Sequence, residues 1–551
     1  MARPDELFDV VIQHARIVDG TGNPWRYGDL ALTGDRISAI APSGRLRPAP
    51  STEVVDGTGM VLAPGFIDIQ SHSIVPFLSD GRSLSKVTQG VTTEIMGESW
   101  TPAPFGGRIA APFPVDLRAR IGDHYEEWND RARAWRGLGD WLDDIVGRGV
   151  SVNVGSFVGG GTIREWGKGF AMGEPTAAEL SSMQQALDGS MRDGAFGIAT
   201  ALIYPPGAYA GTDELAALCE VVASHRAVHI THVRSEESRL LEGIDEAIAI
   251  ARRTGVATEI YHLKAAGKSN WHLMPAAIAR IDAARSSGLD ITADMYPYIA
   301  AGTGLASCLP PWAEADDRLY DNLRNPVTRA AIRAEMLQPT SDWENLGANA
   351  GPENVVLAGP LLPEYQTYLG RSLAAVAAER GKHWVDTALD LLAAEQQSIF
   401  TFYFDMSEEN LRLQMRQPWI TFATDAGGVD PGTLAGSGLQ HPRGFGTYPR
   451  VLGRYVREEA VLGLEEAVRK MSAAVASRLG LHDRGLIRAG MLADVALFDP
   501  AAIIDRSTFE QPHQLSEGIR DVWVNGTRVL RDGEHTGATP GRRVVGPGWV
   551  G

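Results

Sequence analysis

Two histidines, each at the end of a short apolar run, constrain the fold of this chain more than any other feature. His232 closes the run 228–231, and His262 closes the run 258–261. They are 30 residues apart, which is about the length of one strand–helix–strand unit. Because consecutive parallel strands end at one rim of a sheet, this spacing brings both imidazoles together. Either histidine alone is explained as an ordinary residue that ends a strand, whereas the pair favours a metal site.

From about residue 61, predicted strands and helices alternate. The stretch VLAPGFIDI is nearly continuously apolar, which is typical of a strand buried on both faces. The further predicted strands lie in VTTEIM, SVNVGSFVG, GAFGIATAL, AVHITHV, ATEIYHLK, LDITADMYPY, SIFTFYF and WITFATDAG. About eight to nine strands alternating with helices predict an α/β fold, a (β/α)8 TIM-like barrel.

The two ends of the chain predict a second, smaller domain. Both ends contain short alternating strands separated by Asp-Gly, Gly-Asp and Thr-Gly turns. Residues 1–60 and 480–551 are therefore predicted to form one small β-sandwich domain, and residues 61–479 the barrel. The stretch at about 301–360 interrupts the alternation with Pro, Gly and Trp, and is predicted to be an insertion at the barrel rim.

Composition excludes several classes of protein. The 551 residues carry a formal net charge of −17, and no Lys/Arg run is present, which argues against nucleic-acid binding. Only Cys219 and Cys308 are available, so a disulfide framework is excluded. The N-terminus does not resemble a signal peptide, and no apolar stretch approaches the ~20 residues of a membrane span. These features predict a soluble cytoplasmic protein; a homo-oligomer is compatible with them.

The ends of the predicted strands carry the side chains that are suited to catalysis. They are, in chain order, Gln70, His72, Glu98, Ser99, His232, His262, Asp294 and Asp425. Two imidazoles and a carboxylate suit Zn²⁺, which keeps an open position for water in catalytic sites. The metal lowers the pKa of that water toward neutrality. A second carboxylate is then needed to take the proton and pass it to a leaving amine.

Several segments resemble the amidohydrolase superfamily, specifically its D-aminoacylase (N-acyl-D-amino-acid deacylase) branch. They are APGFIDIQSHS, QGVTTEIMGES, THVRSE, YHLK, DMYPY, TDAGG, HPRGFGTYPRVLG and DRGLIRAGMLADVALFDP. The resemblance runs across essentially the whole chain, and its last two segments are the most specific. It implies a zinc-dependent hydrolase that cleaves the amide bond of N-acyl-amino acids of the D series. The products are a carboxylate and a free amino acid, and the nucleophile is metal-activated water.

The resemblance also implies a role for individual residues. His232 and His262 match the two histidine ligands of the tighter metal position. Asp425 matches the metal-proximal general base, and His72 matches the second histidine of the family's His-x-His segment. Gln70 stands where the first histidine of that segment is expected. Because an amide oxygen is a poor zinc ligand, this departure weakens or removes the second metal position.

A second departure concerns the ligand after the second strand. Relatives commonly have Gly-Asn-Cys there, whereas this chain has Gly97-Glu98-Ser99. Glu98 is the predicted bridging or tight-site ligand, because a carboxylate binds zinc well and a neutral hydroxyl does not. One firmly held Zn²⁺ is therefore expected, bound by Glu98, His232 and His262.

The same resemblance implies residues that contact the substrate. Lys264 is expected to bind the carboxylate of the N-acyl amino acid, and Tyr204 to line the acyl pocket. Further contacts are expected from the pairs Tyr296/Tyr298 and Arg443/Arg450. The alternatives are packing at the barrel rim for the tyrosines and weak surface ion pairs for the two arginines.

Two other functions stay open at this point. A hydantoinase-like or dihydroorotase-like enzyme would use the same metal chemistry on a cyclic amide, and Lys264 would then matter little. The third interpretation is a non-catalytic barrel that has lost its metal. Gln70, at the position where a histidine is expected, would be a sign of that loss. Fold alone does not decide among these functions.

Overall fold

Eight parallel strands form the barrel in the computed structural model, which describes residues 7–338, 342–434 and 436–551. Neighbouring strands pair in parallel, and a bridge between Ser71 and Ala426 joins the last strand to the first. The predicted (β/α)8 barrel is confirmed. Its strands are Phe66–Asp68, Val91–Met96, Asn153–Ser156 with Val158–Gly159, Gly197–Ala201, Val228–His232, Ala257–Ile260, Ile291–Met295 and Ile420–Phe422.

Helices of the barrel and of its loops follow the strands. The helix Ala177–Arg192 begins at a capping box, in which Thr176 accepts from the Glu179 backbone N–H and Glu179 accepts from that of Thr176. No helix in the described ranges is long and apolar enough to cross a membrane. The remaining helices are Pro76–Ser79, Leu84–Val87, Arg118–Ile121, Tyr125–Ala132, Leu138–Gly147, Gly160–Lys168, Thr212–Ser224, Leu240–Thr254, Met274–Ser286, Glu408–Met415, Arg443–Arg450, Leu464–Met471 and Ala473–Leu479, with a π-helix at Val451–Glu458.

The two chain ends share one sheet of nine strands, as expected for the small β domain. The sheet contains Val10–Ile17, Arg26–Thr33, Arg36–Pro42, Glu53–Asp56, Val61–Pro64, Val495–Phe498, Ile519–Val524, Thr527–Arg531 and Glu534–His535. The predicted strand VLAPGFIDI is therefore two strands, because the chain passes at Gly65 from this sheet into the barrel. Residues 1–6 of the predicted domain lie outside the described residues.

The insertion at the rim is longer than the predicted stretch 301–360. Three strands, Ala301–Gly304, Val355–Leu357 and Phe400–Tyr403, form an antiparallel sheet with its own apolar core. The prediction that SIFTFYF is a barrel strand was wrong, since it is the central strand of this sheet. The insertion also contains the helices Leu319–Arg324, Pro326–Met336, Leu346–Ala350, Leu373–Glu379 and Trp384–Glu395. Residues 339–341 lie outside the described part of the chain.

Candidate metal centre and active site

The two strand-ending histidines meet at one rim of the barrel. His232 is the last residue of its strand, and His262 follows the next strand by two residues. Their ring centroids are 4.6 Å apart, and the rings are nearly perpendicular. Glu98 lies near both histidines. It follows the strand Val91–Met96 through a turn at Gly97, where φ is 109°. A Cβ at Gly97 would lie 2.3 Å from the carbonyl oxygen of Phe157, so this turn requires glycine.

Glu98, His232 and His262 form a group that can hold a metal ion. Glu98 Oε1 lies 3.6 Å from His232 Nδ1 and 3.5 Å from His262 Nε2. Both ring nitrogens of His232 are buried and make no hydrogen bond to the described residues. Two ligand atoms that each lie about 2 Å from one tetrahedral Zn²⁺ are separated from each other by distances similar to those between Glu98 and the two histidines. The three residues therefore fit a metal ion. A metal ion would also bond to the His232 imidazole, whose nitrogens are otherwise without a hydrogen bond.

His72, Glu98 and Asp425 form a second group that shares Glu98 with the first. His72 Nε2 lies 2.8 Å from Asp425 Oδ1 and 3.3 Å from Glu98 Oε2. Although burial disfavours a charged imidazole, the hydrogen bonds to the two carboxylates raise the pKa of His72 to about 9. The five predicted metal-centre residues thus lie together, with Glu98 at their middle.

Gln70 supports Glu98 through its amide group. Gln70 Nε2 donates a hydrogen bond of 2.6 Å to Glu98 Oε2. Although burial opposes ionisation, the imidazoles of His232, His262 and His72 hold the pKa of Glu98 well below its ordinary value. Gln70 therefore orients the shared carboxylate by a hydrogen bond.

Glu236 was missed in the sequence, and it contacts both histidines from the side opposite Glu98. Its carboxylate oxygens lie 3.3 Å from His232 Nε2 and 3.1 Å from His262 Nδ1. A carboxylate on the outer nitrogen of a metal-binding histidine fixes the ring and its tautomer. Its position four residues after His232, in the segment THVRSE, is the signal that could have identified it.

Lys264 and Arg443 line the cavity beside these groups. Lys264 Nζ lies 2.7 and 2.8 Å from the two oxygens of Glu236, and Arg443 lies 2.6 Å from Asp425 Oδ2. Although burial raises the pKa of Asp425, the Arg443 guanidinium and His72 hold it below its ordinary value. Arg443 also stacks over the Tyr296 ring at 4.7 Å.

The remaining predicted substrate contacts divide into two sets. Tyr204 and Tyr296 line the cavity, and the Tyr204 ring packs edge-on against His232. Tyr298 and Arg450 do not line it. Arg450 stacks on Tyr298 at 4.7 Å, and both contact Asp505, at 3.0 Å from Arg450 and 3.4 Å from Tyr298. Tyr298 and Arg450 therefore have the surroundings of the alternative interpretation, which was packing and an ion pair at the barrel rim.

A buried polar cluster beneath the site was also missed in the sequence. Lys86 is fully buried and donates to Asp68 (2.5 Å), to Thr424 (2.5 Å) and to the Ala426 carbonyl (2.7 Å). Asp68 in turn accepts from the Thr424 backbone N–H at 3.0 Å. These bonds join the first and last barrel strands, so they fix the loop that carries Asp425.

The backbone is strained where the site residues project. Ser99, His262 and Asp425 have φ values of 60°, 31° and 50°, a region that side-chain-bearing residues rarely adopt. Asp294, one of the strand-end residues, accepts a 2.7 Å hydrogen bond from the His262 backbone N–H. Strain of this kind persists where surrounding contacts impose it, and it is concentrated at functional sites.

A cavity of about 120 Å³ opens above the metal-centre residues. The barrel strands supply one wall, which carries His72, Glu98, His232, His262 and Asp425. The loop after His232 and the rim insertion supply the other, which carries Glu237, Glu344 and Asp405. We call these the inner wall and the outer wall. Such a site can bind a small molecule that reaches both walls.

Comparisons with known proteins agree with this site. The amidohydrolase family model matches residues 370–530. The chain is 32% identical over 528 residues to the N-acyl-D-glutamate deacylase of Alcaligenes xylosoxydans xylosoxydans, covering 95% of this chain and 94% of that one. It is 31% identical over 535 residues to the D-aminoacylase of the same organism, covering 97% of each chain.

A solved structure extends the similarity to the fold and to a metal. It is the N-acyl-D-glutamate deacylase of Bordetella bronchiseptica, complexed with zinc and a phosphonate mimic of the tetrahedral intermediate. The TM-score is 0.80 at 30% identity, with 98% of this chain and 100% of that chain covered. Similarity over nearly the full length, together with the shared fold, places this chain in the amidohydrolase family, among the N-acyl-D-amino-acid deacylases.

Proposed function

We propose that this protein hydrolyses the amide bond of N-acyl-D-amino acids with one tightly held zinc ion. The observation that carries the proposal is the group Glu98, His232 and His262 with Asp425 at its edge, all at one end of a cavity. When bound, Zn²⁺ polarises the amide carbonyl and lowers the pKa of a water molecule toward neutrality. The other parts of the reaction fall to the chain's own side chains.

Asp425 is the proposed general base and acid. Its carboxylate borders the metal group and is held ionised by Arg443 and His72, so it can accept a proton from water. It then passes that proton to the departing amine nitrogen, which leaves as the free amino acid. The strained backbone at Asp425 and the fixed loop beneath it hold the carboxylate in place.

Lys264 is the proposed anchor for the substrate carboxylate. Although burial opposes the charge, Glu236 raises the pKa of Lys264, so the ammonium stays protonated. Its position beside His262 puts a positive charge within a few atoms of the amide carbonyl. A carboxylate on the carbon next to the scissile nitrogen would reach it, and a cyclic amide without a carboxylate would gain nothing there. Lys264 therefore favours an acyclic N-acyl amino acid over a ring substrate.

The proposed stoichiometry is one zinc per chain, with a weak or absent second site. Gln70 supports this proposal, because its amide nitrogen faces Glu98 where the family's first histidine would face a metal. We also propose a cytoplasmic location, since Cys219 and Cys308 are both buried and unpaired, as suits a reducing compartment.

The test is elemental analysis of the purified protein, combined with hydrolysis of N-acetyl-D- and N-acetyl-L-amino acids. We expect about one zinc per chain, and activity on the D series. Glu98→Ala should lose both the metal and the activity, while Glu364→Ala, the same change at an exposed position, should keep both. A protein without metal, or one inactive on every N-acyl amino acid, would leave the non-catalytic barrel as the better interpretation.

A further inference from the structure

The outer wall of the cavity carries three carboxylates that have no role in the proposed reaction. Glu237 comes from the loop after His232, whereas Glu344 and Asp405 come from the rim insertion. Glu237 and Asp405 are only 4% and 5% exposed. All three carboxylates line the same small cavity as the metal-centre residues.

Two of these carboxylates hold an oxygen that has no partner. Glu237 Oε1 and Asp405 Oδ1 are buried and make no hydrogen bond within the described ranges. The other oxygen of Glu237 accepts from the Asn349 side chain, so Glu237 is held in position with one oxygen free. A buried carboxylate oxygen without a donor is unfavourable, and a ligand that brings a donor would relieve the cost.

The cations that line the cavity are paired with inner-wall carboxylates or with Glu236. Lys264 contacts Glu236, Arg443 contacts Asp425, and His72 contacts Asp425 and Glu98. A zinc ion would offset the charge of the inner wall. The substrate carboxylate would add one more negative charge. Among the described residues that line the cavity, none pairs a positive charge with Glu237, Glu344 or Asp405, so the outer wall has a local deficit of positive charge.

The pKa values of the outer wall reflect this deficit. Burial, followed by the neighbouring carboxylates, raises the pKa of Glu237 well above its ordinary value. Burial raises the pKa of Asp405 to about 7, although Lys264 opposes the shift. Burial and Glu236 likewise raise the pKa of Glu344 to about 7. An organic cation in this space would favour the ionised carboxylates.

The position of the outer wall relative to Lys264 indicates which part of a substrate reaches it. The Ala266 backbone N–H donates to the Glu236 carbonyl at 2.7 Å, and that of Gly267 donates to the Asp405 carbonyl at 2.9 Å. The chain segment that carries the proposed carboxylate anchor is thus bonded to the acidic wall. Because the carboxylate and the side chain of an amino acid share one carbon, a substrate whose carboxylate binds Lys264 would bring its side chain within reach of Glu237 and Asp405.

We propose that this pocket selects N-acyl amino acids whose side chain carries a positive charge, an amine or a guanidinium, through Glu237 and Asp405. The inference rests on the proposed deacylase function and adds the class of amino acid. A cationic side chain donates to the two unpartnered oxygens and supplies the missing charge. A neutral side chain leaves them unsatisfied, and an acidic one adds repulsion.

The experiment compares kcat/KM for the N-acetyl derivatives of D-lysine, D-norleucine and D-glutamate, with the L enantiomers run in parallel. D-Norleucine keeps the lysine chain and lacks its ammonium group. Because a hydrogen bond to a charged group contributes about 1.5–3 kcal/mol, we expect lysine to exceed norleucine by about 10- to 100-fold. Glutamate should be the poorest of the three.

Variants assign that preference to the outer wall. Glu237→Gln and Asp405→Asn should each reduce the lysine-to-norleucine ratio by about tenfold. Glu364→Gln, an equal charge change at an exposed position of the same insertion, should leave the ratio unchanged. Equal rates for lysine and norleucine in the unaltered protein, or a ratio that both variants retain, would overturn the inference. Inactivity on every N-acetyl amino acid would instead reject the proposed function itself.

Discussion

Glu98 and Glu237 are buried carboxylates of one cavity, yet their surroundings shift the pKa of each in opposite directions. Glu98, on the inner wall, faces three imidazoles that hold its pKa well below the ordinary value. Glu237, on the outer wall, is surrounded by other carboxylates and has a pKa well above it. Burial alone raises the pKa of both, so the neighbours decide the outcome.

The difference separates two roles that carboxylates have in one site. On the inner wall, each carboxylate has an imidazole or a guanidinium partner, and the atoms are spaced to hold a metal ion. On the outer wall, oxygens are left without donors, so a ligand must supply them. The inner wall is carried by barrel strands and their strained ends, whereas two of the three outer-wall carboxylates come from the insertion. On the functions proposed above, the barrel strands carry the chemistry, whereas a barrel loop and the insertion together carry the selectivity.

The largest expected effect is removal of an inner-wall imidazole. His262→Ala should lose zinc from the purified protein and reduce kcat/KM by about 10³-fold or more, because the metal contributes several kcal/mol of charge stabilisation. The measurements are metal content and steady-state kinetics. His272→Ala, at an exposed histidine, is the control and should keep both. Full activity in His262→Ala would show that the inner wall does not need this imidazole for the metal or the reaction. The proposed division of roles between the two walls would then be wrong.

The next effect separates metal binding from proton transfer. Asp425→Asn keeps the size of the side chain but cannot accept a proton, so kcat should fall by about 10²–10⁴-fold. Zinc content should stay near that of the unaltered protein, because Glu98, His232 and His262 remain. Metal content and kcat measured on one preparation give the answer. Loss of zinc in this variant would instead identify Asp425 as one of the principal metal ligands.

A smaller effect is expected from the carboxylate behind the histidines. Glu236→Gln removes the charge that orients His232 and His262, so zinc affinity should weaken by about 10- to 100-fold. Competition with a zinc chelator measures it. Glu242→Gln, at an exposed position on the following helix, should have the affinity of the unaltered protein. If Glu236→Gln also kept that affinity, Glu236 would belong with the outer wall and not behind the metal centre.

The smallest effect is expected outside both walls. Arg450→Met removes the ion pair with Asp505 and the bond to the Pro297 carbonyl. The free energy of unfolding should fall by about 1 kcal/mol, and kcat/KM should stay within about twofold, since the side chain does not line the cavity. Denaturant unfolding and kinetics check the two parts. A strong rise in KM would mean that the substrate extends past Tyr298.

Local sequence patterns predicted the barrel and most of the inner wall. The alternation of buried strands with helices specified the fold, and the spacing of His232 and His262 required their convergence. The run SIFTFYF was assigned to the barrel incorrectly, because a short apolar run looks the same in a barrel and in an antiparallel sheet. The resemblance implied that Gln70 stands where a histidine is expected, but the sequence did not predict that its amide hydrogen-bonds to Glu98.

The outer wall could be recognised only in three dimensions. Glu237 and Glu344 are 107 residues apart, and no periodic pattern connects them. What the sequence determined by itself depends on regular geometry, because parallel strands always deliver their ends to one rim. What the tertiary structure decided depends on how an irregular insertion packs over that rim, and on which buried oxygens it leaves without a donor.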